Sequence, residues 1–319
     1  MTPAILVRKA RSFTLRNFRK LLAGPKGRPR PGDVPDVSAI VPFGYDLSGV
    51  TAPARGIAIV CHLFYDDLAP LMRGYMNNVP FPADVFITTD TAAKKMEIER
   101  VFADWPAGKV EVRIAPNRGR DIGPKFVTLR DVYARYELVL ILQGKKTLTG
   151  TIGDRWRDTL AGTLAGSPDI VRSVVDLFNR CPDIGVVMCQ HFEDVRDCLH
   201  WDGNFRFGQP LAERMGIALT DQHVLDFPSG SMFWARGAAL KPLIDANLTF
   251  DDFPPEKGQT IWTNQHAIER LILFIAEHAG FTWTKIAAPA FFSDPAEMEP
   301  VDTPADLDRI ITKTHLKLL

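Results

Sequence analysis

Two clusters of cations and one of carboxylates are the residues of this chain whose types and spacing could do chemistry. Residues 115–124, "APNRGRDIGP", hold Asn117, Arg118, Gly119, Arg120 and Asp121 directly behind the alternating segment "KVEVRIA". Arginine forks match the paired oxygens of a diphosphate, and Gly119 and Gly123 let a backbone turn tightly against a ligand. Asp121 has two open roles: bracing one of those arginines, or binding a ribose hydroxyl. A charged surface turn is the plainer alternative for the whole stretch. The second pair of cations, Lys145 and Lys146, follows an apolar run in "ILQGKKTLTG". Burying adjacent ammonium groups unpaired is costly, so they must face water or an anion. With the arginines they form a candidate diphosphate cradle.

The carboxylates come later. Asp251, Asp252 and Glu256 sit in "FDDFPPEKGQ", and Glu269 in "WTNQHAIERLI". Any of the four could be the general base that deprotonates an acceptor hydroxyl; a helix-surface ion pair is the alternative for Glu269. Gln265 and Glu269 are four apart, as are His266 and Arg270, so each pair shares a helix face. His266 and Arg270 would shape the acceptor side or clamp a leaving group. "GSMFWAR" adds Ser231 in a flexible turn and the aromatics Phe233 and Trp234, which are core residues unless one of them stacks on a sugar ring.

Such residues need a scaffold that brings loops to one edge. "GIAIVCHLFY", "ADVFITTD", "KVEVRIA" and "ELVLILQG" read as strands. Between them lie three helical segments: "DDLAPLMRGYMNNV", with Leu68, Leu71, Met72 and Tyr75 on one face; "TAAKKMEIERVFADW", with Met96, Ile98 and Val101 apolar; and "KFVTLRDVYARY". Strand–helix–strand repeats with short connections predict an α/β fold, a mostly parallel Rossmann-type sheet flanked by helices. Ligands bind beyond the C-terminal strand ends of such sheets. Asp66 and Asp90, in the loops "HLFYDD" and "TTDT", therefore join the candidates that would contact a nucleoside. The second half supplies the helices "RWRDTLAGTLAG", "PDIVRSVVDLFNRC" and "NQHAIERLILFIAEHAG", the strand "IGVVMC", and a long polar loop, "QHFEDVRDCLHWDGN".

The 319 residues have an ordinary globular composition, enough for one large α/β domain or two smaller ones. No apolar run approaches the roughly 18 residues of a membrane span, and no secretory leader pattern is visible. Cys61, Cys181, Cys189 and Cys198 form no CxxC pair. They read as buried reduced thiols of a cytosolic protein, without zinc-ligand spacing. The net charge of zero hides an asymmetry, since residues 1–32 carry nine Lys or Arg and no acid. Leu15, Phe18 and Leu22 at helical spacing make this arm a basic amphipathic helix. It would lie on an anionic membrane surface or a membrane-bound partner; a helix covering the main domain and a disordered tail are the alternatives. It is short and lacks aromatic interleaving, so no nucleic acid is expected as a partner. "GPKGRPRPGDVPDV" reads as a linker.

In order, "CHLFYDDL", "PNRGRDIGP", "GKKT", "GDRWR", "IGVV", "FPSGSMFWAR", "DDFPPEKGQ" and "HAIERL" resemble the rhamnan synthesis protein F family of bacterial polysaccharide biosynthesis, over about residues 56–285. The resemblance implies a GT-A-like fold. It also implies a glycosyltransferase of cell-surface glycan assembly, cytoplasmic or peripheral on the inner face of the membrane. Its donor would be a nucleotide sugar such as dTDP-rhamnose, and its acceptor a glycan or lipid-linked acceptor. A non-catalytic sugar-binding or scaffold subunit of an assembly complex is the rival reading. The implied organisation is an N-terminal helix and linker over 1–50, a transferase-like domain over 51–290 and an extension over 291–319. One departure stands out: where the family reads something like "HTKKS", this chain has Gln143 and Gly144 before the two lysines. Many GT-A enzymes end the corresponding strand in a DxD motif, whose metal neutralises the leaving diphosphate. Lysines can supply that charge directly, so no divalent metal or other cofactor is expected.

Overall fold

The computed structural model describes residues 25–146, 152–257 and 261–319. The basic helix expected within residues 1–24 lies outside them, as does Thr147. The Val-, Ile- and Leu-rich runs become strands because both faces of their sheet are covered, so each position gains from being apolar. The strands are β1 (Ser38–Ile40), β2 (Ile57–His62), β3 (Ala83–Thr89), β4 (Val110–Ile114), β5 (Leu138–Gln143), β6 (Ile184–Cys189), β7 (Phe233–Arg236), β8 (Thr282–Ala287) and β9 (Met298–Glu299). They form one sheet in the order β4-β3-β2-β5-β7-β6-β8-β1-β9. Every described pairing is parallel except those of β7, which is antiparallel to β5 and β6. The mostly parallel, helix-flanked α/β sheet expected from the sequence is therefore what the chain adopts.

Alternate residues of each strand feed opposite cores. Ile57, Ile59 and Cys61 of β2 face one side, packed with α1 (Ala69–Met76), α2 (Ala92–Val101), α3 (Ile152–Ala165), α4 (Pro168–Arg180) and the C-terminal α7 (Pro304–Thr314). Ala58 and Val60 face the other, packed with α5 (Phe205–Arg214) and α6 (Asn264–His278). From Ala267 to Ala276, α6 is buried at every position except Glu269.

Several local expectations change. The segment after β2 opens as a short 3-10 turn at Asp66–Leu68 before α1, and Leu71 points outward at 39% exposure. Met96 is 70% exposed, so Ile98 alone anchors α2 as a fully buried residue. "KFVTLRDVYARY" is not one helix but a wide π-type turn, Pro124–Thr128, followed by a single α turn, Arg130–Tyr133. Residues expected in the linker and the C-terminal extension supply β1, β9 and α7, with Val41, Leu307 and Ile310 in the core. Arg30, counted with the basic arm, ion-pairs with buried Asp226 at 2.8 Å. Cys61 and Cys189 are buried as expected, but Cys198 is exposed.

Candidate active site

β7 runs against its neighbours, and its register pairs Phe233 with Ile141 near the C-terminal end of β5. The turn that precedes β7, residues 227–231, is thereby delivered to the same sheet edge as the ends of β2 and β5. A cavity of about 510 Å³ opens there, closed on its far side by the first turns of α6. Of the expected residues, Asn117, Arg120, Asp121, Lys145, Lys146, Ser231, Glu256, His266, Glu269 and Arg270 border it. His62, Tyr65, Gln143, Trp156, Ser229 and Gln265 also border it and were not assigned from the sequence.

The cationic side is built from strand ends. The Lys145 ammonium sits 4.0 Å above the Trp156 ring. Burial lowers its pKa, Glu269 and Asp121 favour its charge, and Arg120 opposes it. Lys146 is bound by Asp67, whose hydrogen bond raises the lysine's pKa, so the acid that meets the pair is Asp67 and not Asp66. Gln143 donates its side-chain amide to the Gly230 carbonyl and ties β5 to the turn before β7. His62 reaches Thr88 through Nδ1 at 2.9 Å, and burial drops its pKa to about 4, so it is a neutral ring.

The opening loop is tightly specified. Gly119 is left-handed at φ +78°, and a Cβ there would meet Phe253 at 2.8 Å. Arg120 follows at φ 50°, a conformation that side-chain-bearing residues rarely hold. This turn sends the two arginines apart. Arg120 borders the cavity, and its backbone N–H donates to Glu256 at 3.1 Å. Arg118 leaves it, donating through Nε to the Phe253 carbonyl at 2.5 Å and pairing with Asp251 at 3.1 Å. Asp121 is engaged by a lysine. Its partner is Lys125, fully buried and 2.7 Å away, which also donates to the Ser231 carbonyl at 2.8 Å. Burial alone would raise the Asp121 pKa, but Lys125 outweighs it and holds the carboxyl below its usual range.

Arg120→Ala is expected to weaken nucleoside diphosphate binding about tenfold, the loss of one charge-assisted contact. Arg118→Ala is expected to lower the melting temperature and leave that binding alone. Calorimetric titration with dTDP and thermal unfolding check both; equal binding losses would overturn the division.

Of the four carboxylates considered as bases, Glu256 and Glu269 border the cavity, the latter from the first turns of α6. Glu269 accepts the Gly230 N–H at 2.7 Å, and its pKa is raised, chiefly by burial and further by Asp121, against the pull of Arg270. Asp251 is 94% exposed on its side chain and lies outside the cavity. Asp252 caps its own turn at Thr249 and pairs with Arg214 at 2.7 Å. Asp90 pairs with Lys94 at 2.6 Å, and neither it nor Asp66 borders the cavity. Trp234 is fully buried, with its indole N–H on the Leu164 carbonyl, so it is a core residue and stacks on no ligand. Arg270 is nearly buried and spends its guanidinium on the carbonyls of Cys198, His200 and His266. It positions the 198–200 loop. His266 is held by Thr263 at 2.6 Å, and burial, with Arg120 and Arg270, drops its pKa to about 4.

A model of the family described as rhamnan synthesis protein F matches residues 34–281. Two curated relatives, each described as uncharacterized protein WxcX, come from Xanthomonas campestris pv. campestris, strains B100 and ATCC 33913. Each is 34% identical over 230 residues, 72% of this chain and 32% of the relative, so the chain spans about a third of their length. Among solved structures, 4-diphosphocytidyl-2C-methyl-D-erythritol synthase from Anaerococcus prevotii is similar with a TM-score of 0.39 and 7% identity, over 81% of this chain and 94% of that one. Mouse xyloside xylosyltransferase 1 has a TM-score of 0.33 and 8% identity over 73% and 83%. The bifunctional glycosyltransferase WbbM has a TM-score of 0.29 and 9% identity over 85% and 45%. At these scores the likenesses carry no argument about chemistry.

Proposed function

The chain belongs to the rhamnan synthesis protein F family, and on that footing we propose that it is a glycosyltransferase of cell-surface polysaccharide synthesis. It would move a sugar, rhamnose from a dTDP donor being the first choice, to a glycan or lipid-linked acceptor at the inner face of the membrane. One observation supports this reading above the others. A half-buried carboxylate with raised proton affinity, Glu269, shares a strand-end cavity with Lys145, Lys146 and Arg120. In the proposed step Glu269 takes the proton of the acceptor hydroxyl while that oxygen attacks the anomeric carbon. The bond from that carbon to the diphosphate oxygen breaks, and its electron pair leaves with the nucleoside diphosphate. The anomeric centre inverts. Arg120, Lys145 and Lys146 compensate the charge that develops on the leaving group.

Because lysines stand where a DxD motif would place acids, transfer is expected to persist in EDTA. The test is a panel of nucleotide sugars, read by thermal shift and by nucleoside diphosphate release, with and without EDTA. Failure of every nucleotide sugar to bind would sink the proposal. Binding without transfer would favour the non-catalytic subunit, and loss of turnover in EDTA would overturn the lysine-for-metal substitution.

A further inference from the structure

Two features of this cavity take no part in the transfer step. Gln265, in the first turn of α6, is 1% exposed, yet among the described residues neither Oε1 nor Nε2 has a hydrogen-bond partner. Burying an amide in this way costs about 1–3 kcal/mol, so a folded chain keeps one where something else satisfies it. The side chain borders the cavity one helical turn before Glu269. Glu269 in turn holds the Gly230 N–H, which places Ser229 on the neighbouring wall.

The Ser229 hydroxyl lies 3.2 Å from Nδ1 of His191, and Nε2 of that ring lies 2.9 Å from Oδ1 of Asp226. The far end of this relay sets its direction. Asp226 Oδ2 is 2.8 Å from both Arg30 and Lys285, and Oδ1 accepts the Phe227 N–H at 2.9 Å. A carboxylate so surrounded stays ionised and can only accept. The proton of the buried imidazole is therefore on Nε2, and bare Nδ1 takes the hydroxyl hydrogen of Ser229. Ser229 Oγ turns only lone pairs toward the cavity.

We infer that Ser229 and Gln265 form a subsite for a neutral sugar ring. Ser229 accepts from one ring hydroxyl, and the Gln265 amide both donates to and accepts from its neighbour. An ionised phosphate offers only acceptors and finds no donor at Ser229, so the charged part of a substrate is left to Lys145 and Arg120. The subsite rests on the transferase reading only in assigning that ring to the substrate.

The full chain is titrated with methyl glycosides, methyl α-L-rhamnoside among them, by ligand-observed NMR, and separately with dTDP by calorimetry. Ser229→Ala and Gln265→Met are each expected to weaken glycoside binding about tenfold and to spare dTDP binding. Gln265→Met is also expected to raise the melting temperature, since it replaces an orphaned amide by an apolar chain of similar size. Unchanged glycoside binding in both variants, or a lower melting temperature for Gln265→Met, would overturn the subsite. If Ser229→Ala does not fold, Gln265→Met decides alone. A wild-type chain that binds dTDP but no glycoside loses the subsite and keeps the transferase. One that binds glycosides but no nucleotide or nucleotide sugar does the reverse.

Discussion

Glu269→Gln is expected to cut sugar transfer by about 10²–10⁴-fold, the usual worth of a positioned base, with little change in nucleotide-sugar affinity. The amide keeps the size of the side chain and can still accept the Gly230 N–H, so the turn before β7 stays in place. What is lost is the ability to take a proton. Burial and Asp121 raise the Glu269 pKa, which places the acid limb of the wild-type rate profile above the usual glutamate value. The sign for stability is opposite to that of a salt-bridged acid. The folded chain holds this proton more tightly than the unfolded one, so this group's contribution falls as pH rises from the usual glutamate value through the raised one. Glu269→Gln should remove that slope and leave the protein at least as stable at neutral pH. Single-turnover rates and thermal unfolding across pH measure both. Wild-type turnover in Glu269→Gln would transfer the role to Glu256, the other carboxylate of the expected four that borders the cavity.

The second large effect is on folding. Lys125→Met is expected to destabilise the chain by about 3–5 kcal/mol, because it strands an ionised Asp121 whose side chain is only 12% exposed. For a chain of this size that is a fall in melting temperature of about 4–8 °C. Asp121 has a depressed pKa in the fold, so the pair's contribution is present at neutral pH and lost as pH falls through that lowered value. Pairing the change with Asp121→Asn should restore part of the loss, since no charge is then left unpaired. A Lys125→Met protein that melts like wild type would show that the pair contributes nothing. Nucleotide binding is expected to suffer too, because Lys125 also fixes the Ser231 carbonyl beside the cavity.

The apolar runs of β2 and β5 were legible as strands, since a strand buried on both faces must be apolar throughout. The rule that ligands gather at strand ends pointed to Arg120, Lys145 and Lys146, which border the cavity. Helix faces were harder to read. Met96 is as hydrophobic as its neighbours, yet it lies where α2 turns to solvent. Lys125 looked like one more charge on a helix, and nothing local showed that its chain would run inward to Asp121.

By itself the sequence determined a mostly parallel α/β sheet, a cation-rich edge and membership of a polysaccharide-synthesis family. Each depends on patterns within a few residues or on motifs read in order. Only the tertiary structure decided which charges meet. Arg118 and Arg120 are two residues apart but diverge, because a left-handed Gly119–Arg120 turn stands between them. Glu269 and Gly230, or His191 and the Asp226–Ser229 turn, converge from distant segments because β7 runs against its neighbours in the sheet. Spacing along a chain reports neighbours on one element. Contacts between elements are set by strand order and direction, which no local pattern contains.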